Sequence, residues 1–348
     1  MKARTKKIIF NVSAVALLLV LLIGPIRHII ANHPYEYVYF NELAGGPQNA
    51  FGNYELDYYY NSTREATEWV RQNAVPNPDG SKIKVATWHQ ASVSYFLRND
   101  TNRFQTVSAR WYEKDKVDWD YAIFTITGIY PKYLKSKYFP PKNTIKIIDV
   151  DGAPICLVLK RGDKNGMLAY QWLSEGKLDS AKALFYNCLK KDADDYWALR
   201  NLGEIYVRTN MPDSALMVLH HAQQIDPEGE VPRYLNAFAL YEKARVDEAL
   251  MMLGSVKKSN CKYASAYTLA IQIHLKMGDL MAAQKNFDKL IAYDLINDES
   301  IQLWMYFSAM QGIDEKTAYN NLCNKMIANF EKQGRVKEAN RLRKQILD

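Results

Sequence analysis

The chain is poor in cysteine, holding Cys156, Cys188, Cys261 and Cys323 as its only four in 348 residues. No two form a CxxC pair and no histidine stands at zinc-ligand spacing from them, which argues against a structural zinc site. Three fall in helical positions that suit a small apolar side chain, so they read as buried free thiols. A disulfide stays open if the domain faces an oxidising compartment, with no pairing dictated by the spacing. No glycine-rich phosphate loop, nucleophile–base pair or metal set accompanies the acidic residues, which makes an enzymatic role the weakest reading. A basic stripe is missing too. The formal charge is +7, but Lys2, Arg4, Lys6, Lys7 and Arg27 place five positive charges around one apolar segment. Residues 33–161 carry 16 basic against 14 acidic side chains, and residues 162–348 balance at 24 of each. With nothing to neutralise successive phosphates, no nucleic-acid binding is expected.

Residues 8–26 form the long apolar run, interrupted only by Asn11, Ser13, Gly24 and Pro25. A helix of that length, rising about 1.5 Å per residue, spans a bilayer's hydrocarbon core. Four basic residues precede it, and Arg27 and His28 follow. The positive-inside rule therefore predicts a single-pass membrane protein with a cytoplasmic N-terminus and an extracytoplasmic bulk, which in a bacterium would be the periplasmic side of the inner (plasma) membrane. A cleaved signal peptide has the same charge pattern, but the stretch from Pro25 to Ala31 holds no small-x-small site, which favours an anchor. Residues 1–32 are thus read as cytoplasmic tip and transmembrane helix.

Residues 33–161 change character, with short helices alternating with β-rich runs. Ser62 or Thr63 caps a helix over 64–70, and the loop from Pro76 to Gly80 follows it. Strands are expected over 82–88, 104–108 and 119–126, with helices over 91–98 and 130–137. Strands 145–150 and 155–159 flank Asp151-Gly152, a strong hairpin signal. The pattern predicts a small α/β domain with helices packed on a sheet.

Two motifs open this domain: His33-Pro34-Tyr35-Glu36-Tyr37-Val38-Tyr39-Phe40-Asn41-Glu42-Leu43-Ala44-Gly45-Gly46, and Tyr54-Glu55-Leu56-Asp57-Tyr58-Tyr59-Tyr60. With the preceding helix, they resemble the stretch after the last membrane helix of bacterial membrane glycosyltransferases of the dolichyl-phosphate-mannose–protein mannosyltransferase type. The resemblance covers residues 8–161. It implies an extracytoplasmic α/β tail domain and, by extension, an association with a membrane glycosylation system. That family's transfer site resembles an acidic pair in the first extracytoplasmic loop of a many-helix bundle. This chain has one such helix, and its first acidic residue, Glu36, lies beyond it, so a lipid-phosphate sugar would have no enclosed site. Glu36, Glu42, Glu55 and Asp57 form a conceivable acid–base set, yet capping, solvation and pairing are their expected uses. Likewise the tyrosines of the two motifs suit packing at the domain base better than a sugar-stacking platform.

Residues 162–348 carry a 34-residue repeat, with Ala181, Ala215, Ala249 and Ala283 in one register. Four residues later come Phe185, Leu219, Leu253 and Phe287; nine residues earlier come Trp172, Tyr206, Leu240 and His274. The second copy is the fullest, with Leu199, Leu202, Gly203, Tyr206, Ala215, Leu219, Ala222 and Pro227. This order resembles the tetratricopeptide repeat (TPR), in which helical hairpins stack because none can bury its apolar face alone. Helices over 301–310, 317–330 and 335–347 read as a degenerate fifth unit and a solvated cap. The predicted fold is α plus α/β: one transmembrane helix, a small α/β domain, then an α-solenoid.

In TPR proteins the binding groove is lined by the first helix of each hairpin. Carried onto this sequence, the groove positions are Trp197, Arg200, Glu204, Val207 and Arg208; Val231, Tyr234, Phe238, Tyr241 and Glu242; and Ser265, Thr268, Gln272, Leu275 and Lys276. Trp, Tyr and Arg dominate interface energetics, although several of these residues would touch neighbouring helices instead. Arg200 and Asn201 stand near the places of a carboxylate clamp, but Glu204 occupies a place that clamp needs for Asn, so an apolar or aromatic peptide is the better fit. The expected function is a non-catalytic, membrane-anchored scaffold needing no cofactor or metal. It would bind a protein or peptide partner, with a polytopic glycosyltransferase as the alternative association.

Overall fold

The computed structural model describes residues 2–346, with side-chain surroundings from Phe10 onward. The chain forms two compact units, Met1–Ala193 and Asp194–Asp348. The division falls one helical hairpin later than the 161/162 boundary drawn from the sequence.

The first unit opens with α1 (Lys2–Ala31). Its stretch Phe10–Ala31, 22 residues, is long and apolar enough to cross a membrane by length and composition. Next come α2 (Gly46–Ala50), α3 (Ser62–Asn73), β1 (Ile83–Thr87), α4 (Gln90–Phe96), β2 (Phe104–Ser108) and β3 (Tyr121–Thr125). The short α5 (Pro131–Leu134) precedes the hairpin of β4 (Thr144–Val150) and β5 (Ala153–Lys160). The sheet order is β2-β1-β3-β5-β4. Strand β1 runs parallel to β2 and β3, while β5 pairs antiparallel with β3 and β4. The near-continuous apolar run of β5 follows from its place inside the sheet, where Ile155 to Leu159 are all buried. At the β4–β5 turn Asp151 (φ 50°) and Gly152 (φ 79°) both take left-handed conformations, the requirement of a two-residue hairpin that Asp-Gly satisfies.

Helices α6 (Asn165–Ser174) and α7 (Leu178–Lys191) form the first hairpin and belong to this unit. Lys164 reaches Asp118 at 2.6 Å, and Lys116 lies 5.4 Å from the Tyr170 ring, which ties α6 to the segment before β3.

The second unit is wholly helical among the described residues. Its hairpins are α8 (Tyr196–Arg208) with α9 (Pro212–Ile225), α10 (Glu230–Glu242) with α11 (Val246–Ser259), and α12 (Ala264–Lys276) with α13 (Leu280–Ala292). They continue with α14 (Asp298–Ala309), α15 (Glu315–Lys332) and α16 (Val336–Arg343). Successive hairpins lie against one another: α9 meets α10, α11 meets α12, and α13 meets α15. Helix α16 stops short of the 335–347 span expected for it, and Leu347 lies outside the described residues.

The period is written in the turns as well as in the core. Gly176, Asn210, Ala244, Gly278 and Gly312 recur every 34 residues, all with φ between 54° and 77°. In each, the next amide closes onto the carbonyl five residues back, as in Met211 N to Tyr206 O (2.8 Å) and Arg245 N to Leu240 O (2.9 Å). That geometry ends the first helix in a left-handed cap. The repeat alanines Ala181, Ala215, Ala249 and Ala283 are fully buried, as are Phe185, Leu219, Leu253 and Phe287; Leu202 and Tyr206 are buried with them. Gly203 marks the closest helix crossing, because a Cβ there would stand 2.3 Å from Leu219 Cδ2. Pro227, expected among the core-defining residues, is instead exposed. It follows the α9 cap, Asp226, where a residue without an amide hydrogen cannot extend the helix.

Candidate protein-binding face

Helices α8, α10 and α12 bury one side against their hairpin partners, and the other side carries the residues expected to bind. On α8 the sequence Leu199, Leu202, Gly203, Tyr206 supplies the buried stripe. A turn away lie Arg200, Glu204, Val207 and Arg208, all partly or fully exposed. The Asp195 carboxylate caps this helix by accepting from Ala198 N at 3.0 Å. On α10, Tyr234, Phe238 and Tyr241 are half-buried, at the spacing that puts all three on one face.

The structure joins several of these side chains. The Tyr234 ring centroid is 5.6 Å from that of Tyr263, which immediately precedes α12. Lys276 holds its ammonium 5.1 Å from the Tyr241 ring. Arg208 donates to Glu204 at 2.5 Å, Arg200 lies 4.7 Å over the Trp197 ring, and Gln272 donates to Glu299 at 3.1 Å. Burial pushes the Tyr234 hydroxyl up to about 12, with the negative charge of Glu299 adding to it. Burial does the same for Tyr263, up to about 12, aided by Tyr234. Both phenols therefore keep their protons at neutral pH and present hydrogen-bond donors beside apolar rings.

Two expectations are corrected here. Trp197 is only 5% exposed, so it is part of the packing and not an accessible contact. Thr268 and Leu275 are buried as well, because α12 is apolar on nearly all sides. The clamp-like residues are also committed elsewhere: Asn201 is fully buried and donates to Trp197 O at 2.7 Å. Tyr263 and Glu299 were missed from the sequence. Tyr263 precedes the first residue of α12, so the register of that helix does not include it, and only its aromatic character at a helix start signals it.

The acidic residues that follow α1 do not converge into a catalytic pair. Asp57 is completely buried and accepts hydrogen bonds from Tyr37, from the Ser62 hydroxyl, and from Asn61 N at 3.1 Å. Tyr35 donates to Glu65 at 2.8 Å. Burial, and then these carboxylates, raise both tyrosine hydroxyls well above their ordinary range. Glu36 pairs with His33, and Glu55 is exposed. Of the motif tyrosines, Tyr35 is buried and Tyr37 half-buried, whereas Tyr39, Tyr54, Tyr58, Tyr59 and Tyr60 are exposed, so the packing expected of the two motifs holds only for the first pair.

The second-unit hairpins, with their shared register and left-handed caps, have the architecture of a tetratricopeptide repeat region. A sequence profile of the tetratricopeptide repeat family matches residues 173–237. Solved structures similar in fold include MamA, at 20% identity over 51% of this chain and 92% of that one, with a TM-score of 0.34. A thermophilic TPR protein of Thermus thermophilus, TTC0263, gives 16% identity over 51% and 93%, with a TM-score of 0.37. YrrB, described as a TPR protein with an unusual peptide-binding site, gives 19% over 50% and 88%, with a TM-score of 0.35. No curated protein matches the chain.

Proposed function

We propose that this chain is a membrane-anchored, non-catalytic scaffold whose repeat array receives a protein or peptide partner on the face of α8, α10 and α12. The repeat region supports an interaction role, and α1 supports anchoring. The observation that carries the reading is the half-buried aromatic row of Tyr234, Phe238 and Tyr241, joined by Tyr263 and edged by Glu204 and Glu299. Rigid aromatic surface beside hydrogen-bond donors is where interface energy concentrates. The extracytoplasmic side follows from the charge asymmetry around α1.

The test is retention of partners by the full-length chain in membranes. Phe238→Ala and Tyr241→Ala should each weaken capture at least ~10-fold, the scale of a hot-spot residue, while amide protection of α9 and α11 stays unchanged. Undiminished capture by both variants removes the face assignment.

A second reading is an accessory role beside a polytopic membrane glycosyltransferase, motivated by the two aromatic motifs at the domain base. Co-purification with such an enzyme supports it, and normal surface glycosylation in a deletion strain counts against it.

A further inference from the structure

A separate cavity lies where α1 leaves its apolar run. Its volume is about 470 Å³, within the roughly 300–1,000 Å³ usual for small-ligand sites. Arg27, His28, Glu42, Gln48 and Asp151 line it, with Gly45 and Gly46 forming part of the wall. The charged groups are of both signs. The Arg27 and Glu42 side chains make no hydrogen bond or ion pair among the described residues, and both are exposed. The His28 side chain is 4% exposed, with Nδ1 held 2.8 Å from Asp151 Oδ2. Its Nε2 is buried with no hydrogen-bond partner among the described residues.

Depth is the second argument. The Glu42 carboxylate packs on α1 at Gly24, where an added Cβ would stand 2.8 Å from Oε1. Residue 24 belongs to the apolar run, so this carboxylate stands at the edge of the hydrocarbon, where an uncompensated charge is costly. The next residue, Leu43, is 91% exposed, as a side chain bathed in acyl chains would be.

We propose that this cavity binds the headgroup of a phospholipid bearing a primary ammonium. The lipid phosphate pairs with Arg27, and the ammonium donates to Glu42 and Asp151. Two carboxylates match the ammonium, and one guanidinium matches the phosphate. A quaternary ammonium has no hydrogens to donate, and an anionic headgroup without a cation would meet two carboxylates. The proposal rests on α1 spanning the bilayer.

The test uses the full-length chain in vesicles with equal parts of phosphatidylethanolamine, phosphatidylcholine and phosphatidylglycerol. Native mass spectrometry of the released protein should show phosphatidylethanolamine retained at least ~10-fold over each of the others, the scale of one well-made charge-assisted contact. Arg27→Ala combined with Glu42→Gln should bring the three lipids to parity. Both residues are exposed, and an unchanged amide-exchange pattern in the sheet domain verifies the fold of the variant. Equal retention of all three by the native chain, preference for phosphatidylglycerol, or indifference to the double substitution overturns the proposal. Carbonate extraction runs alongside: a chain that resists extraction but lacks the preference refutes the headgroup site alone, whereas a chain that is extracted refutes the anchor and this site with it.

Discussion

The crossing of α8 and α9 at Gly203 gives a prediction whose size follows from contact distances. An added Cβ would meet Leu219 Cδ2 at 2.3 Å, Cγ at 2.4 Å and Cδ1 at 3.0 Å. Leu219 is fully buried, so its side chain has no open space to swing into. Overpacking of this kind costs about 1–3 kcal/mol, and contacts this short belong at the upper end. Alanine is intrinsically the better helix former by about 0.8–1 kcal/mol, which leaves Gly203→Ala destabilising by about 2 kcal/mol. Leu219→Ala alone should cost about 2–5 kcal/mol through lost burial and the space left behind. In the Leu219→Ala background the clash partner is gone, so Gly203→Ala becomes neutral or mildly stabilising. The double-mutant cycle should therefore show coupling of about 2–3 kcal/mol. Amide hydrogen exchange in α8 and α9 of the full chain reads the local opening free energy directly. Additive costs within about 0.5 kcal/mol, the usual scatter for independent sites, would mean that the helices do not cross as closely as described.

Other positions give further expectations. Ala244 takes the left-handed cap with φ 56°; a Cβ there costs about 1 kcal/mol or more, so Ala244→Gly should raise the thermal midpoint while Gly278→Ala lowers it. Asp57→Ala strands the donors of Tyr37 and Ser62 and should destabilise the sheet domain by about 3 kcal/mol or more, seen as faster limited proteolysis; a variant that stays folded but loses function would revive an acid–base role. Asp226 is 2% exposed, and burial raises its carboxyl from 3.8 to about 6. Because the folded state holds this proton more tightly, its contribution to stability is present in full below about pH 4 and lost as pH rises through about 6. The change is at most about 3 kcal/mol, at about 1.36 kcal/mol per pKa unit. Urea unfolding of the second unit should show the fall, and Asp226→Asn should flatten it.

Much of the repeat half was legible because its signals are local and periodic. The alanine register and the large residue four places on come from hairpins that need a small residue where helices cross, and the burial of Ala181 through Ala283 follows. The turn at Ala244 carries no signal in the sequence, because Ala244 adopts a conformation that its side chain disfavours and that only tertiary packing imposes. The sheet domain was readable at its Asp151-Gly152 hairpin and in the span of β2, whose local chemistry suffices. Sheet order was not readable, since parallel pairing of β1 with β3 is set by contacts distant in sequence. On the proposed binding face, register puts Tyr234, Phe238 and Tyr241 on one side of α10, but it does not distinguish an exposed Trp197 from a buried one. The cavity at Arg27 and Glu42 joins α1, the Glu42 turn and the β4–β5 turn, so no single stretch of sequence announced it.

The central claim is that the α8–α10–α12 face, and not the opposite helices, receives a partner. The most direct measurement places a photo-crosslinking residue at Phe238 or at Met251, which is 72% exposed on α11, in the full-length membrane-borne chain. A discrete protein adduct from position 238 that vanishes with Tyr241→Ala, and none from position 251, is the predicted result. The same adducts from both positions, or adducts from 251 alone, would contradict the account.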